Sequence, residues 1–249
     1  AHLNLEASML KAWGEKPVTL VSPWDTWSRD FRIVPIFQTI IMKQECDDPI
    51  AVNHYFAEDI CGELIAFSNE NKTPIRILIN SPGGSVLGGY MIIQTIEHLK
   101  KIGIEVWTVN FFATHSMAAI ILMAGTPGRR YAVDGGVTHT HSGTQGSSGK
   151  PDDVEEMIKF QARIKDWMYN FISKNSKIPE FRKAELEIGE PLSSKSKELN
   201  PRLRIKLIKD FLQIERFLTA DEAKLAGIVD DILHPGDKRI NQIFSSSLK

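Results

Sequence analysis

From residue 32 onward, short β-branched runs alternate with longer stretches whose apolar residues recur at helical spacing. Ile33-Val34-Pro35-Ile36 and Thr39-Ile40-Ile41-Met42 are rich in strand formers. Across 49–69, Ile50, Tyr55, Phe56, Ile60, Leu64, Ile65 and Phe67 follow a helical period. Residues 75–79 read as a strand, stopped by Asn80-Ser81-Pro82-Gly83-Gly84. Residues 85–100 then read as a helix with Val86, Tyr90, Ile93 and Ile96 on one face. Gly103 breaks it, 104–109 is the next strand, and a third helix starts near Ser116 and runs to Met123. Two more strands, 131–133 and 137–141, are parted by Asp134-Gly135-Gly136. Such alternation is the signature of parallel βαβ units with right-handed crossovers. The strands are too few and too unevenly spaced for a closed eight-fold barrel, so the pattern predicts an open α/β stack.

Beyond a Gly/Ser-rich turn at 142–150, residues 151–173 form a clear amphipathic pattern. Its apolar positions are Val154, Met157, Ile158, Ala162, Ile164, Trp167, Met168, Phe171 and Ile172, and its first turn is acidic. That stripe suits burial against the core and a subunit interface equally. Residues 174–209 are basic and polar, with Pro179, Pro191 and Pro201, and read as short helices around a mobile middle at 193–196. Thr219 with Glu222 three residues on is a capping box. Gly227 ends that helix, and 228–233 is a last strand. Residues 1–31 lack a sustained period and carry Trp13, Trp24 and Trp27, an arm expected to pack on the body or on a neighbouring subunit.

Composition narrows the function classes. The 249 residues carry 30 basic and 31 acidic side chains, a net charge of -1, which lacks the electrostatic footprint of a general nucleic-acid binder. The longest apolar run, 117–124, is far too short to span a bilayer, so no membrane partner is expected. Two cysteines, Cys46 and Cys61, make neither a disulfide scaffold nor a metal-ligand pattern, and a reducing, cytoplasmic setting is expected.

Three clusters carry candidate chemistry. Ser81-Pro82-Gly83-Gly84 sits between a strand and a helix, where backbone N–H groups can cradle an oxyanion or a phosphate. The spacing is neither the Rossmann nor the Walker fingerprint, and a plain tight turn competes with it. Ser116 stands at a strand-to-helix junction, as either an exposed nucleophile or an ordinary N-cap. His139 and His141 lie two apart on a strand and face the same way, with His115 nearby. One catalytic base with bystanders, a zinc site, and packing histidines all fit that spacing.

Taken together, the motifs resemble the Clp protease proteolytic subunit (ClpP) family. The likeness is carried by Ile79-Asn80-Ser81-Pro82-Gly83-Gly84-Ser85-Val86, by Ser116-Met117-Ala118-Ala119, and by Tyr131-Ala132-Val133 leading to His141. Arg216-Phe217-Leu218-Thr219-Ala220-Asp221-Glu222-Ala223 and Gly227-Ile228-Val229-Asp230 complete it, in the family's order. The resemblance implies a crotonase-like α/β spiral over 32–234 with a projecting handle helix at 151–173 and a C-terminal tail at 235–249. It implies a ring of copies, two stacked heptamers or a mixed ring, cleaving peptides or unfolded polypeptides through an acyl-enzyme. ATP-independent serine endopeptidase chemistry would use Ser116 as nucleophile and His141 as general base. The backbone N–H groups of Gly84 and Met117 would form the oxyanion hole. Neither a cofactor nor a metal is called for.

The sequence departs from that family at three places. The family's triad aspartate is matched here by Glu215, whose extra methylene changes its reach, and Asp210 is the other candidate acid. An insertion at about 178–209 lengthens the chain before that acid, and the arm does not match the family's axial loop, which weighs against partnership with an ATP-dependent unfoldase. His115 occupies a position where the family has a small residue. These departures motivate an alternative, a catalytically impaired structural or regulatory ring subunit. Metal-dependent hydrolysis at the histidines and acyl-CoA chemistry at the Gly84 turn are further alternatives.

Overall fold

The β-branched runs pair edge to edge as parallel strands. In the computed structural model, which describes residues 31–43, 56–143, 146, 148–186 and 199–245, β1 (Ile33–Ile36), β2 (Ile75–Ser81), β3 (Val106–His115), β4 (Arg130–Val133) and β7 (Asp231–Leu233) lie side by side in that order. Every neighbouring pair along that path is parallel. Between them run α1 (Ala57–Glu70), α2 (Val86–Lys101) and α3 (Met117–Met123). The fold is the α/β stack of parallel βαβ units that the alternation predicts.

The long strand β3 serves two layers. Its first half pairs with β4, from Thr108 opposite Arg130 to Asn110 opposite Ala132. Its second half pairs with β5 (Val137–Thr140), placing Ala113 opposite Val137 and His115 opposite His139. At the divide, the Asn110 side chain donates to Val137 O at 2.9 Å and Thr138 Oγ1 at 3.2 Å, tying the two layers together. β6 (Arg216–Leu218) then adds to β5 antiparallel, with Phe217 opposite His139.

Both faces of the sheet are covered. On one, Ile60, Leu64 and Phe67 of α1, Ile92, Ile93 and Ile96 of α2 and all of α3 are buried in the main core. Fully burying side chains of this size contributes about 1.5–3 kcal/mol each. On the other face, Ile33, Leu78, Trp107, Tyr131 and Leu233 pack around Ile243 of α8 (Lys238–Ile243). The sequence pattern did not reveal α8. Its start is nonetheless local chemistry, since Asp237 accepts a hydrogen bond from Arg239 N at 2.8 Å.

Two expected strands are shorter than read. Of 39–42, only Ile40 pairs, donating its N–H to Gly83 O and accepting from Ser85 N, both at 2.7 Å. Ile228 and Val229 bond back to Ala223 O at the end of α7 (Ala220–Leu225), so β7 begins only at Asp231. Conversely, β3 runs six residues beyond 109 to His115.

The helix expected at 151–173 is α4 (Pro151–Asn175), with Pro151 and two acidic residues opening it. Its two halves differ. Tyr169, Phe171 and Ile172 are buried, whereas Met157, Ile158 and Phe160 are exposed. α5 (Ile178–Leu186) and α6 (Pro201–Leu212) follow, with Leu207, Ile208, Phe211 and Leu212 buried beneath α6. Arg182 on α5 donates to Asp210 on α6 at 2.6 Å, and Arg204 ties α6 to Ser173 O at 2.8 Å. The stretch read as a mobile middle at 193–196 and most of the arm lie outside the described residues, as does Cys46, while Cys61 is a free thiol. No helix among the described residues is long and apolar enough to cross a membrane.

Candidate active site

The last residue of β3 leads directly into Ser116, which has φ 54° and ψ -123°. A non-glycine residue in that region stores strain of order 1–3 kcal/mol, and here the strain turns the chain sharply from strand to helix. The surroundings hold the turn in place. Ser116 N donates to His139 O at 2.9 Å. From the other side the Gly83–Gly84 turn presses close. A Cβ on Gly83 would lie 2.6 Å from His115 O and 2.8 Å from Ser116 Cβ, and one on Gly84 would lie 2.2 Å from Ile40 O. Both glycines also have positive φ, so the close approach and the backbone conformation each demand glycine.

Ser116 sits in an unbroken chain of hydrogen bonds. Its hydroxyl donates to His141 Nε2 at 2.8 Å. On the far side of the ring, His141 Nδ1–H donates to Glu215 Oε1 at 3.1 Å. An ionised carboxylate only accepts, which assigns this tautomer. The second carboxylate oxygen, Glu215 Oε2, accepts from His139 Nε2. Strand alternation puts His139 and His141 on one face, and the antiparallel register with β6 brings Glu215, one residue before that strand, across from both.

His139 is itself held firmly. It is buried, stacks on Phe217 with ring centroids 4.3 Å apart, and meets the edge of His115 at 5.3 Å. Glu215, by contrast, leaves 61% of its side chain exposed. Desolvation works to raise the Glu215 pKa, but the hydrogen bonds from both histidines and their charges outweigh it and hold the carboxyl below its ordinary value. Burial, with the His139 charge adding to it, pushes the His115 imidazole below its ordinary value and favours the neutral ring.

Each residue singled out in the sequence therefore has a place. Ser116, His141 and Glu215 are brought together, and the Gly83–Gly84 turn abuts Ser116. The Gly84 and Met117 N–H groups form no hydrogen bond with another described residue; Met117 follows the serine in the chain, and Gly84 follows Gly83, the glycine that abuts it. Asp210 is elsewhere, paired with Arg182. The three histidines cluster through one carboxylate and through ring contacts, and among the described residues no group of three His, Cys, Asp or Glu side chains is arranged to hold a metal ion. The part played by His139 was not read from the sequence beyond its shared face with His141. The alternation His-x-His was the available signal, and it needed the β5–β6 register to become a contact. A recess beside Ser116, walled by Val86, Met117, Ile120, Thr140, Lys165 and Met168, was likewise out of reach of the sequence.

A parallel α/β sheet that joins a strained serine, an imidazole and a carboxylate through hydrogen bonds has the arrangement used in acyl transfer. Comparison with known proteins agrees with that class. The Clp protease family model matches residues 29–236. An ATP-dependent Clp protease proteolytic subunit of Porphyromonas gingivalis is 27% identical over 240 residues, covering 95% of this chain and 96% of its own. A proteolytic subunit 2 of Prochlorococcus marinus is 30% identical over 218 residues, covering 87% and 91%. Another from Bacillus licheniformis is 29% identical over 182 residues, covering 73% and 81%. The chain belongs to the Clp protease family.

Proposed function

We propose that this protein is a serine endopeptidase that cleaves peptides or unfolded polypeptides with Ser116, His141 and Glu215. The observation that carries the reading is the continuous chain from Ser116 Oγ through both nitrogens of His141 to Glu215. His141 Nε2 takes the hydroxyl proton as Oγ attacks the scissile carbonyl carbon. The carbonyl electron pair moves onto oxygen, where the N–H groups of Gly84 and Met117 receive the negative charge. His141 then delivers the proton to the departing amine nitrogen, leaving an acyl-Ser116. A water that gives its proton to His141 releases the acyl group by the reverse sequence. Glu215 holds His141 in the tautomer that leaves Nε2 free to accept, and it stabilises the imidazolium. His139 is a positioning residue that holds Glu215.

No step consumes ATP or needs a metal. ATP dependence, which the relatives' names carry, would enter through a partner that unfolds and delivers substrate. Assembly into rings of copies, two stacked heptamers or mixed with related subunits, is part of the same reading. The exposed Met157, Ile158 and Phe160 on the first half of α4 supply an apolar surface for such assembly. The completed hydrogen-bond chain favours this reading over an impaired structural subunit.

Intact-mass analysis after fluorophosphonate treatment tests it. One adduct on the native protein, absent from Ser116→Ala, is expected, together with hydrolysis of short fluorogenic peptides without ATP. A folded, assembled protein that takes up no adduct would overturn the reading.

A further inference from the structure

The recess beside Ser116 combines apolar walls with polar groups. Val86, Met117, Ile120 and Met168 give it apolar walls suited to an aliphatic stem. Lys165 lines the same recess from α4, is only partly exposed, and among the described residues forms no ion pair or hydrogen bond. Thr140, also in the wall, is 1% exposed, and its hydroxyl oxygen is buried without a hydrogen-bond partner among the described residues. An unpartnered buried hydroxyl costs about 1–3 kcal/mol, and a partly buried ammonium without a counter-ion adds to that cost. A ligand bearing an anionic acceptor at the end of a short apolar stem would satisfy both groups. Lys165 also lines an adjoining outer recess with Lys209, where the one carboxylate is Asp166. Lys209 is engaged over the Tyr169 ring at 5.1 Å, so Lys165 is the cation left for the inner recess.

We infer that this recess selects a substrate whose residue supplying the scissile carbonyl is acidic, with glutamate as the best fit. The inference rests on the peptidase reading for the position of the scissile bond, but not for the binding itself. Met117 contributes both the N–H beside the nucleophile and part of the wall, so a side chain entering the recess belongs to the residue whose carbonyl is attacked. Glutamate's two methylenes lie along the apolar walls while its carboxylate meets Lys165 and the Thr140 hydroxyl. Charge-bearing specificity of this kind acts by attraction to one partner and repulsion of the other.

The test uses four peptides identical except for Glu, Gln, Leu or Lys at that residue. Binding is read by fluorescence anisotropy on Ser116→Ala, and kcat/KM on the enzyme with Ser116 intact. Glu is expected to exceed Gln by roughly tenfold and Lys by roughly a hundredfold in both readouts. Lys165→Glu should invert the Glu and Lys order, and Lys165→Met should erase it while sparing the Leu peptide. Equal binding of Glu and Lys peptides, or a Lys165→Glu effect that is the same for all four, would overturn the inference. Preferential Glu binding without hydrolysis would uphold the recess and overturn the peptidase reading instead.

Discussion

Replacing His139 by alanine isolates the residue that distinguishes this site from a plain triad. The perturbed quantity is the orientation of Glu215, whose side chain is 61% exposed and would otherwise rotate freely. Ordering a glutamate side chain loses rotamer freedom, and at this exposure water competes with each hydrogen bond that opposes the loss. Without His139, the 3.1 Å bond to His141 is the one hydrogen bond among the described residues that opposes that freedom. The fraction of molecules with Glu215 correctly placed then falls, and kcat should drop by roughly tenfold with KM unchanged. Glu215→Gln should cost far more, up to about 10⁴-fold, because the imidazole loses its tautomer. His139→Gln can still present an N–H to the carboxylate, and it should recover most of the activity. The assay is a double-mutant cycle on peptide hydrolysis, with circular dichroism and sedimentation confirming fold and assembly. If His139 acts through Glu215, His139→Ala should have almost no effect in the Glu215→Gln background. The same fold-loss in both backgrounds would refute the argument and reduce His139 to a packing residue.

Three further outcomes follow from the same structure. His115, held neutral by burial and by His139, has a folded pKa below its unfolded value of 6.5, so its contribution to stability is present above that value and lost as pH falls through the lower folded value. The melting temperature should therefore drop between pH 7.5 and pH 5.5, and His115→Gln should flatten that slope; an unchanged slope would contradict the assignment. Asp230 accepts from Gly128 N, Arg130 N and Arg130 Nε at 2.7, 3.0 and 2.9 Å, a half-buried node joining β4 to the start of β7. Asp230→Ala should lower the unfolding free energy by about 1.5–3 kcal/mol in denaturant titration, whereas Asp210→Asn, on the surface with Arg182, should leave peptide hydrolysis unaffected.

Much of the scaffold was legible in the chain because it is local. Ile75 to Ile79, Ile104 to Val109 and the amphipathic 151–173 stretch declare their elements through β-branching and period, and the Thr219 and Glu222 capping box is complete within four residues. The glycine pair at 83–84 and the serine at a strand-to-helix junction were visible for the same reason. What could not be read depends on register and on distant packing. Ile40 meets Gly84 across the fold as a single bridge rather than as part of a strand, and α8 is helical because Ile243 finds the face of the sheet opposite the main core.

The site divides in the same way. The order of residues determined by itself that a serine, a same-face histidine pair and an oxyanion-competent turn exist, since each is a matter of spacing along one or two elements. Only the tertiary structure decided which acid joins them. Glu215 and Asp210 are five residues apart and chemically equivalent on paper, but the antiparallel pairing of β6 with β5 carries Glu215 to both histidines, while α6 turns Asp210 toward Arg182. A hydrogen bond requires placement to within a fraction of an ångström, and that precision comes from strand register and helix packing between segments some 75 residues apart, not from neighbours in the chain.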